Sequence, residues 1–137
     1  MNEFIVWDKK YLKFLEDDFV LFNGMIYRDT RDFENDINSN DLEILRHIGK
    51  TDINNKKIFA DSSIVEFNFL PFGETETVTY KGFVKYNQDR FRFEIEVISH
   101  CDKDGDNYIF DLGKCIDRIT NIKIIDTIQE NKLGLIK

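Results

Sequence analysis

The residues best able to do chemistry form three groups, and spacing tests each of them. Asp102-Lys103-Asp104-Gly105-Asp106-Asn107 places three carboxylates on alternate positions around a glycine. Such a run holds calcium when glycine stands sixth in the loop and a bidentate glutamate twelfth. Here glycine is fourth and the twelfth position is Gly113, so the segment reads as a solvated turn. His47, His100, Cys101 and Cys115 are the candidate zinc ligands or thiol–imidazole partners. They form no Cys-x-x-Cys and no His-x-x-x-His, so neither a metal nor a cofactor is expected, and the two cysteines read as reduced thiols. The seven glycines are scattered and build no phosphate loop, and Gly-x-Ser-x-Gly is absent. With 26 acidic residues, some carboxylates fall close together by chance, and no acid–base pair stands out. The expectation is a protein that is not an enzyme.

The third group is Lys81, Phe83, Lys85, Arg90 and Arg92. Cations interleaved with an aromatic ring on a strand face can grip phosphate and stack a base. The competing reading is a solvated face whose Phe83 is covered by the N-terminal segment. These five residues are the candidate macromolecule-binding site. Trp7, the single tryptophan, reads as a packing residue.

The element that must position this group is a hairpin. Phe91-Arg92-Phe93-Glu94-Ile95-Glu96-Val97 alternates apolar and charged residues, the period of a half-buried strand. Before it, Val78, Tyr80, Gly82, Val84 and Tyr86 share one parity, and Asn87-Gln88-Asp89-Arg90 reads as the loop. Pairing Tyr86 with Phe91 sets Lys81 across from Glu96 and Lys85 across from Arg92, the second a like-charge pair. Elsewhere, Phe4–Trp7 and Tyr11–Leu15 read as strand, turn, strand. Asn23-Gly24 between Phe19–Phe22 and Met25–Tyr27 is a type I′ turn signal. Ile64–Phe69 is a strand stopped before Pro71 and Gly73. Residues 29–40 read as a polar surface loop. Leu42 to Ile48 fits helix or strand, and the isoleucines from Ile116 to Ile128 lean toward strand.

Composition bounds the rest. The 137 residues are one domain by length and can bury a core unaided. Thirteen Phe and 42% hydrophobic residues exclude disorder. One proline and scattered glycines leave no flexible linker. The net charge of −7 disfavours nucleic acid and anionic membranes as partners. Apolar runs of four or five residues fall far short of the roughly 20 that a membrane helix needs. Met1-Asn2-Glu3 opens no signal peptide, so a cytoplasmic location is expected.

Five blocks of the chain carry a resemblance. Phe4-Ile5-Val6-Trp7-Asp8 resembles the Phe-x-Val-Trp-Asp opening of YopX-type phage and prophage proteins. Ile48-Gly49-Lys50-Thr51-Asp52-Ile53-Asn54-Asn55-Lys56-Lys57-Ile58-Phe59 is similar to their central Thr-Gly-Leu-Lys-Asp-x-Asn-Gly-Lys-x-Ile-Tyr, with Asn55 at the turn glycine. Ile64-Val65-Glu66-Phe67 corresponds to their Asp-Ile-Val strand. Gly82–Tyr86 with Phe91–Phe93 resembles the following hairpin. Ile125-Asp126-Thr127-Ile128-Gln129-Glu130-Asn131 resembles the closing Ile-Gly-Asn-Ile-Tyr-Glu-Asn, with Asp126 at a glycine.

The resemblance implies a mainly β fold with few or short helices. It implies one YopX-like domain over 1–137, with an N-terminal β extension and loop over 1–45 and an SH3-like barrel or roll and C-terminal strand over 46–137. It supplies no catalytic residue. The functional expectation is a phage or prophage accessory protein that binds an unknown host or phage macromolecule inside the cell. Two alternatives stand beside it: an acidic DNA mimic that inhibits a host DNA-binding or defence protein, and nucleic-acid binding through the basic hairpin 81–92. Exposed aromatics and strand edges leave a homo-oligomer open.

Overall fold

The computed structural model describes residues 4–15, 19–37, 40–101, 105 and 107–136. Strands account for 54% of the described residues and helix for 10%, so the fold is mainly β. The chain divides into two compact units, Met1–Arg46 and His47–Lys137.

In the first unit, β1 (Phe4–Asp8) pairs antiparallel with β2 (Lys13–Leu15) and with the start of β5 (Leu42–Thr51). The stretch that fitted both periods is therefore strand. Val6, Trp7, Leu15 and Leu45 are buried, and Trp7 packs on Phe14 at 4.7 Å between ring centroids. Its packing role stands. A second hairpin joins β3 (Val20–Phe22) to β4 (Met25–Tyr27). Asn23 and Gly24 both take positive φ, 50° and 75°, which is what the type I′ turn requires. The expected polar loop over 29–40 contains a short helix, α1 (Thr30–Glu34). The Asp29 side chain caps it by accepting from Asp32 N. A helix of five residues buries too little to leave an apolar periodicity, so only the cap marked it.

Arg28 organises this unit. Its guanidinium bonds Asp8 through Nε at 2.8 Å and Asp41 through Nη2 at 2.7 Å. Asp8 is fully buried and also accepts from Lys10 N and Tyr11 N, which shapes the β1–β2 turn. The Arg28 hydrogen bond outweighs desolvation and holds the Asp8 carboxyl below its ordinary range.

In the second unit, a curled five-stranded sheet runs in the order β10-β9-β8-β7-β11. Its strands are β7 (Ser63–Phe69), β8 (Val78–Asn87), β9 (Arg92–Cys101), β10 (Asn107–Asp111) and β11 (Ile119–Thr127). Every neighbouring pair is antiparallel. Val65, Phe67, Val84, Ile95 and Val97 share the core with Ile58, Ala60 and Leu112. A short β6 (Lys57–Phe59) pairs with the end of β5. Between β10 and β11 lie α2 (Leu112–Cys115) and a 3-10 turn (Ile116–Arg118). The isoleucine-rich end is thus a helical turn followed by a strand. Cys115 is a free thiol. The side chain of Cys101 and most of the Asp102–Asp106 turn lie outside the described residues.

Two residues hold this unit in its shape. Gly82 lies where β8 meets β9, and a Cβ there would stand 2.6 Å from Ile95 Cγ2 and 2.7 Å from the Glu96 carbonyl oxygen. Backbone and core leave no room for a side chain. Asp52 is buried in the β5–β6 turn. Its Oδ1 accepts from Asn54 N and Lys56 N, and its Oδ2 accepts from Ile124 N of β11. Ile53 N donates to Ile122 O beside it. Asn55 takes φ 61°, the left-handed conformation this turn needs. Burial alone raises the Asp52 carboxyl, but the N–H groups of Ile124, Lys56 and Asn54 outweigh it, and the net shift is downward.

Gly82→Ala is expected to cost about 1–3 kcal/mol through overpacking, read from chemical denaturation midpoints. Asp52 has a folded-state pKa below its unfolded value of about 4. Its contribution is therefore complete above that pH and lost as pH falls below it toward the folded pKa. Asp52→Asn should lower stability at neutral pH by about 1–3 kcal/mol and flatten the acid limb of the stability–pH curve. An acid limb identical to wild type would remove Asp52 from that account.

Candidate interaction site at a hairpin tip

The β8–β9 hairpin has the strands expected for it, with a different register. Tyr86 faces Phe93, Lys85 faces Glu94, Phe83 faces Glu96 and Asn87 faces Arg92. Relative to the pairing of Tyr86 with Phe91, each residue meets a partner two positions further along β9. The like-charge pair of Lys85 and Arg92 does not form. Lys85 Nζ instead reaches Glu96 Oε1 at 3.2 Å. Arg92 bonds Glu94 Oε2 at 2.7 Å through Nε and Asp111 Oδ2 at 3.0 Å through Nη1.

The structure therefore does not gather the five candidate residues into a free basic face. Lys81 faces Glu66 on β7, and its N–H donates to Ser99 Oγ. Phe83 is half-buried rather than exposed. Lys85 and Arg92 are neutralised within the sheet. Arg90 alone of the five lies exposed, in the loop.

Sequence reasoning missed the residue beside it. Phe91 is 82% exposed and sits at φ 53°. A left-handed backbone disfavours a bulky side chain by about 1–2 kcal/mol, and glycine or asparagine is the ordinary occupant. The alternation from Phe91 to Val97 had placed this ring on the core face, but β9 begins at Arg92 and leaves Phe91 in the loop.

A chain of hydrogen bonds fixes the loop. Asn87 Oδ1 accepts from Asp89 N at 3.0 Å and Arg90 N at 3.2 Å. Asn87 Nδ2 donates to Glu94 Oε1 at 3.2 Å. Glu94 is 1% exposed. Burial raises its carboxyl, and the bonds from Arg92 and Asn87 bring the net shift below the ordinary range. The same bond from Glu94 raises Arg92 further above its already high value. Arg92 continues the chain to Asp111, whose Oδ1 caps α2 by accepting from Gly113 N at 2.9 Å. The tip is thus tied through two strands to the start of α2.

Beside this chain lies a cavity of about 290 Å³. Ile48, Phe93, Leu112 and Ile116 form apolar walls, and Lys50 and the Arg92–Asp111 pair stand at its polar edge. The volume suits a small apolar group rather than a drug-sized ligand, whose pockets run from about 300 to 1,000 Å³. A wider, more polar cleft of about 630 Å³ lies in the first unit, with Lys10, Tyr11, Lys13, Arg28 and Arg31 among its lining. The Arg28 charge there is already spent on Asp8 and Asp41. Ser99 Oγ lies 2.9 Å from His100 Nδ1, but that oxygen also accepts from Lys81 N, and both residues are exposed. Among the described residues, no three His, Cys, Asp or Glu side chains converge as a metal-holding group.

Removing Arg92 leaves Glu94 charged and buried with only Asn87 bonded to its carboxylate. Arg92→Ala should therefore destabilise the chain clearly, whereas Arg90→Ala should stay within about 0.5 kcal/mol of wild type. Urea denaturation of both variants checks this. Equal, small losses would show that the Arg92–Glu94 pair is no more than a surface contact.

No family model matches this chain, and no curated protein matches it.

Proposed function

We propose that this chain is a non-enzymatic binding module that docks on another protein through the tip of the β8–β9 hairpin. The observation that carries the reading is Phe91, 82% exposed at a positive φ. Strain held by the surrounding structure points to use when neither packing nor turn geometry accounts for it. Here packing does not, because the ring is in solvent, and turn geometry does not, because glycine would serve better.

A protein is a better partner than nucleic acid. Two of the three strand cations that would grip phosphate are internally paired, and the net charge of −7 repels a phosphate backbone. What the tip offers is an aromatic ring on a rigid loop, the kind of anchor that dominates protein interfaces. The resemblance of Phe4–Asp8, Ile48–Phe59 and Ile125–Asn131 to YopX-type proteins supports a phage or prophage accessory role, an SH3-like barrel in the second unit and action inside the bacterial cell. Among the described residues, no helix is long and apolar enough to cross a membrane.

Phe91→Gly separates binding from folding. The substitution relieves the left-handed strain, so the thermal midpoint should hold or rise, while docking should be lost. A photo-cross-linking phenylalanine analogue at position 91, in bacterial cytosol, should label a protein that excess wild type competes away and excess Phe91→Gly does not. Equal competition by both would sink the reading. So would turnover of any substrate by the purified chain that a point substitution abolishes.

A further inference from the structure

We infer that the cavity lined by Ile48, Phe93, Leu112 and Ile116 is a binding site for a small amphipathic carboxylate, whose aliphatic or aryl body enters the hole and whose charged end meets Lys50. Phe91 is not among the lining residues, so the inference stands apart from the docking role of the tip.

The walls are preformed. Ile48 comes from β5, Phe93 from β9, Leu112 from α2 and Ile116 from the 3-10 turn after it. Leu112 belongs to the buried core, and Ile48, Phe93 and Ile116 pack against that core. Side chains held this way cannot close over the hole without giving up core contacts. The β9 wall is also tied to the α2 wall. Arg92 Nη1 bonds Asp111 Oδ2 at 3.0 Å, and Asp111 Oδ1 accepts from Gly113 N at 2.9 Å. A rigid, mostly apolar concavity with a few placed polar groups is what small ligands use, and little ordering is lost when one binds.

Charge selects the class of ligand. Lys50, Arg92 and Asp111 are the charged residues of the lining. Arg92 is committed to Glu94 and Asp111. Asp111 is committed to Arg92 and to the N–H groups of Gly113 and Lys114. Lys50 is exposed, and among the described residues it forms no ion pair. The lining thus couples apolar walls to one unmatched positive charge. A cationic ligand would meet Lys50 unfavourably, and a neutral one would leave its charge unused. One cation matches one negative charge, which favours a carboxylate over a doubly charged phosphate ester.

Size bounds the body. An apolar cavity of roughly 150 Å³ holds benzene. On that scale the 290 Å³ here takes about ten non-hydrogen atoms. A ligand of that size should bind with a Kd of about 0.1–1 mM.

Carbon–proton correlation NMR of the methyl-labelled full chain tests this with three probes of one shape: phenylpropionate, phenylpropanol and phenylpropylammonium. Phenylpropionate should shift the Ile48, Leu112 and Ile116 methyl signals together and saturate. Phenylpropanol should move the same signals with about threefold weaker affinity, the worth of an exposed ion pair, and phenylpropylammonium should be weaker still. Lys50→Ala should weaken the acid about threefold and leave the alcohol unchanged. Lys50→Glu should reverse the order and favour the ammonium. The unchanged affinity for the alcohol shows that the cavity is intact in these variants. Ile116→Trp, which fills the hole, should abolish binding of all three. Methyl signals that none of the probes moves overturn the inference. So do shifts spread over residues away from the cavity, or an order of affinities that the Lys50 substitutions leave untouched.

Discussion

A carboxylate taken out of water stays charged only if donors surround it, and this constraint shapes four of the corners described here. Asp8, Asp52, Glu94 and Asp126 are all buried, and each is held below its ordinary pKa by the bonds it receives. Each pins a turn or chain end, Asp8 and Asp52 to residues distant in sequence and Glu94 and Asp126 to nearer ones. Asp8 joins the β1–β2 turn to Arg28. Asp52 joins the β5–β6 turn to β11. Asp126 accepts from Thr127 N at the end of β11 and from Leu133 N in the tail. Glu94 joins the β8–β9 loop to Arg92 and onward to Asp111. Short loops and few helices leave many N–H groups without a ladder partner, and a buried carboxylate satisfies two or three of them at once.

The same logic accounts for two aspartates in the sequence. Asp8 closes β1 and Asp52 opens the β5–β6 turn within the Ile48–Phe59 block. Nothing in the bare sequence separates either from the other carboxylates. Their oxygens are turned to backbone N–H groups of their own turns. Asn55 adopts the positive φ that the β5–β6 turn also requires.

Strand positions were legible because alternation reports which face a residue takes, and the Asn23-Gly24 turn because its chemistry is specific. Register was not legible. A slip of two residues leaves every side chain on its original face and the loop still four residues long, so neither alternation nor loop length distinguishes the two pairings. One local clue did point to the answer. The pairing read from alternation sets Lys85 against Arg92, whereas the observed one gives Lys85 a carboxylate, Glu94, as its direct neighbour. That slip alone decides whether Phe91 begins a strand or stands in solvent. The pairing of Lys85 and Arg92 with carboxylates follows from the same register, because a cation's neighbours across a sheet are set by register, which the alternation cannot see.

The distribution of charge sharpens what kind of surface the second unit can offer. Residues 1–46 hold eleven acidic and six basic side chains, and residues 47–137 hold fifteen and thirteen. The net −7 therefore belongs mostly to the first unit, and the second is close to neutral. Several of its cations are also paired in place, as Lys85 and Arg92 are. A near-neutral surface with its charges already matched has little long-range field with which to steer a partner. On the proposed docking reading, recognition there rests on apolar shape at short range. The hairpin tip supplies that shape, and it does so at a local cost: a bulky ring held in a left-handed backbone that the Asn87–Glu94–Arg92–Asp111 chain keeps from relaxing. The buried carboxylate that fixes the fold at this corner therefore also fixes the geometry of the one strongly exposed aromatic beside it.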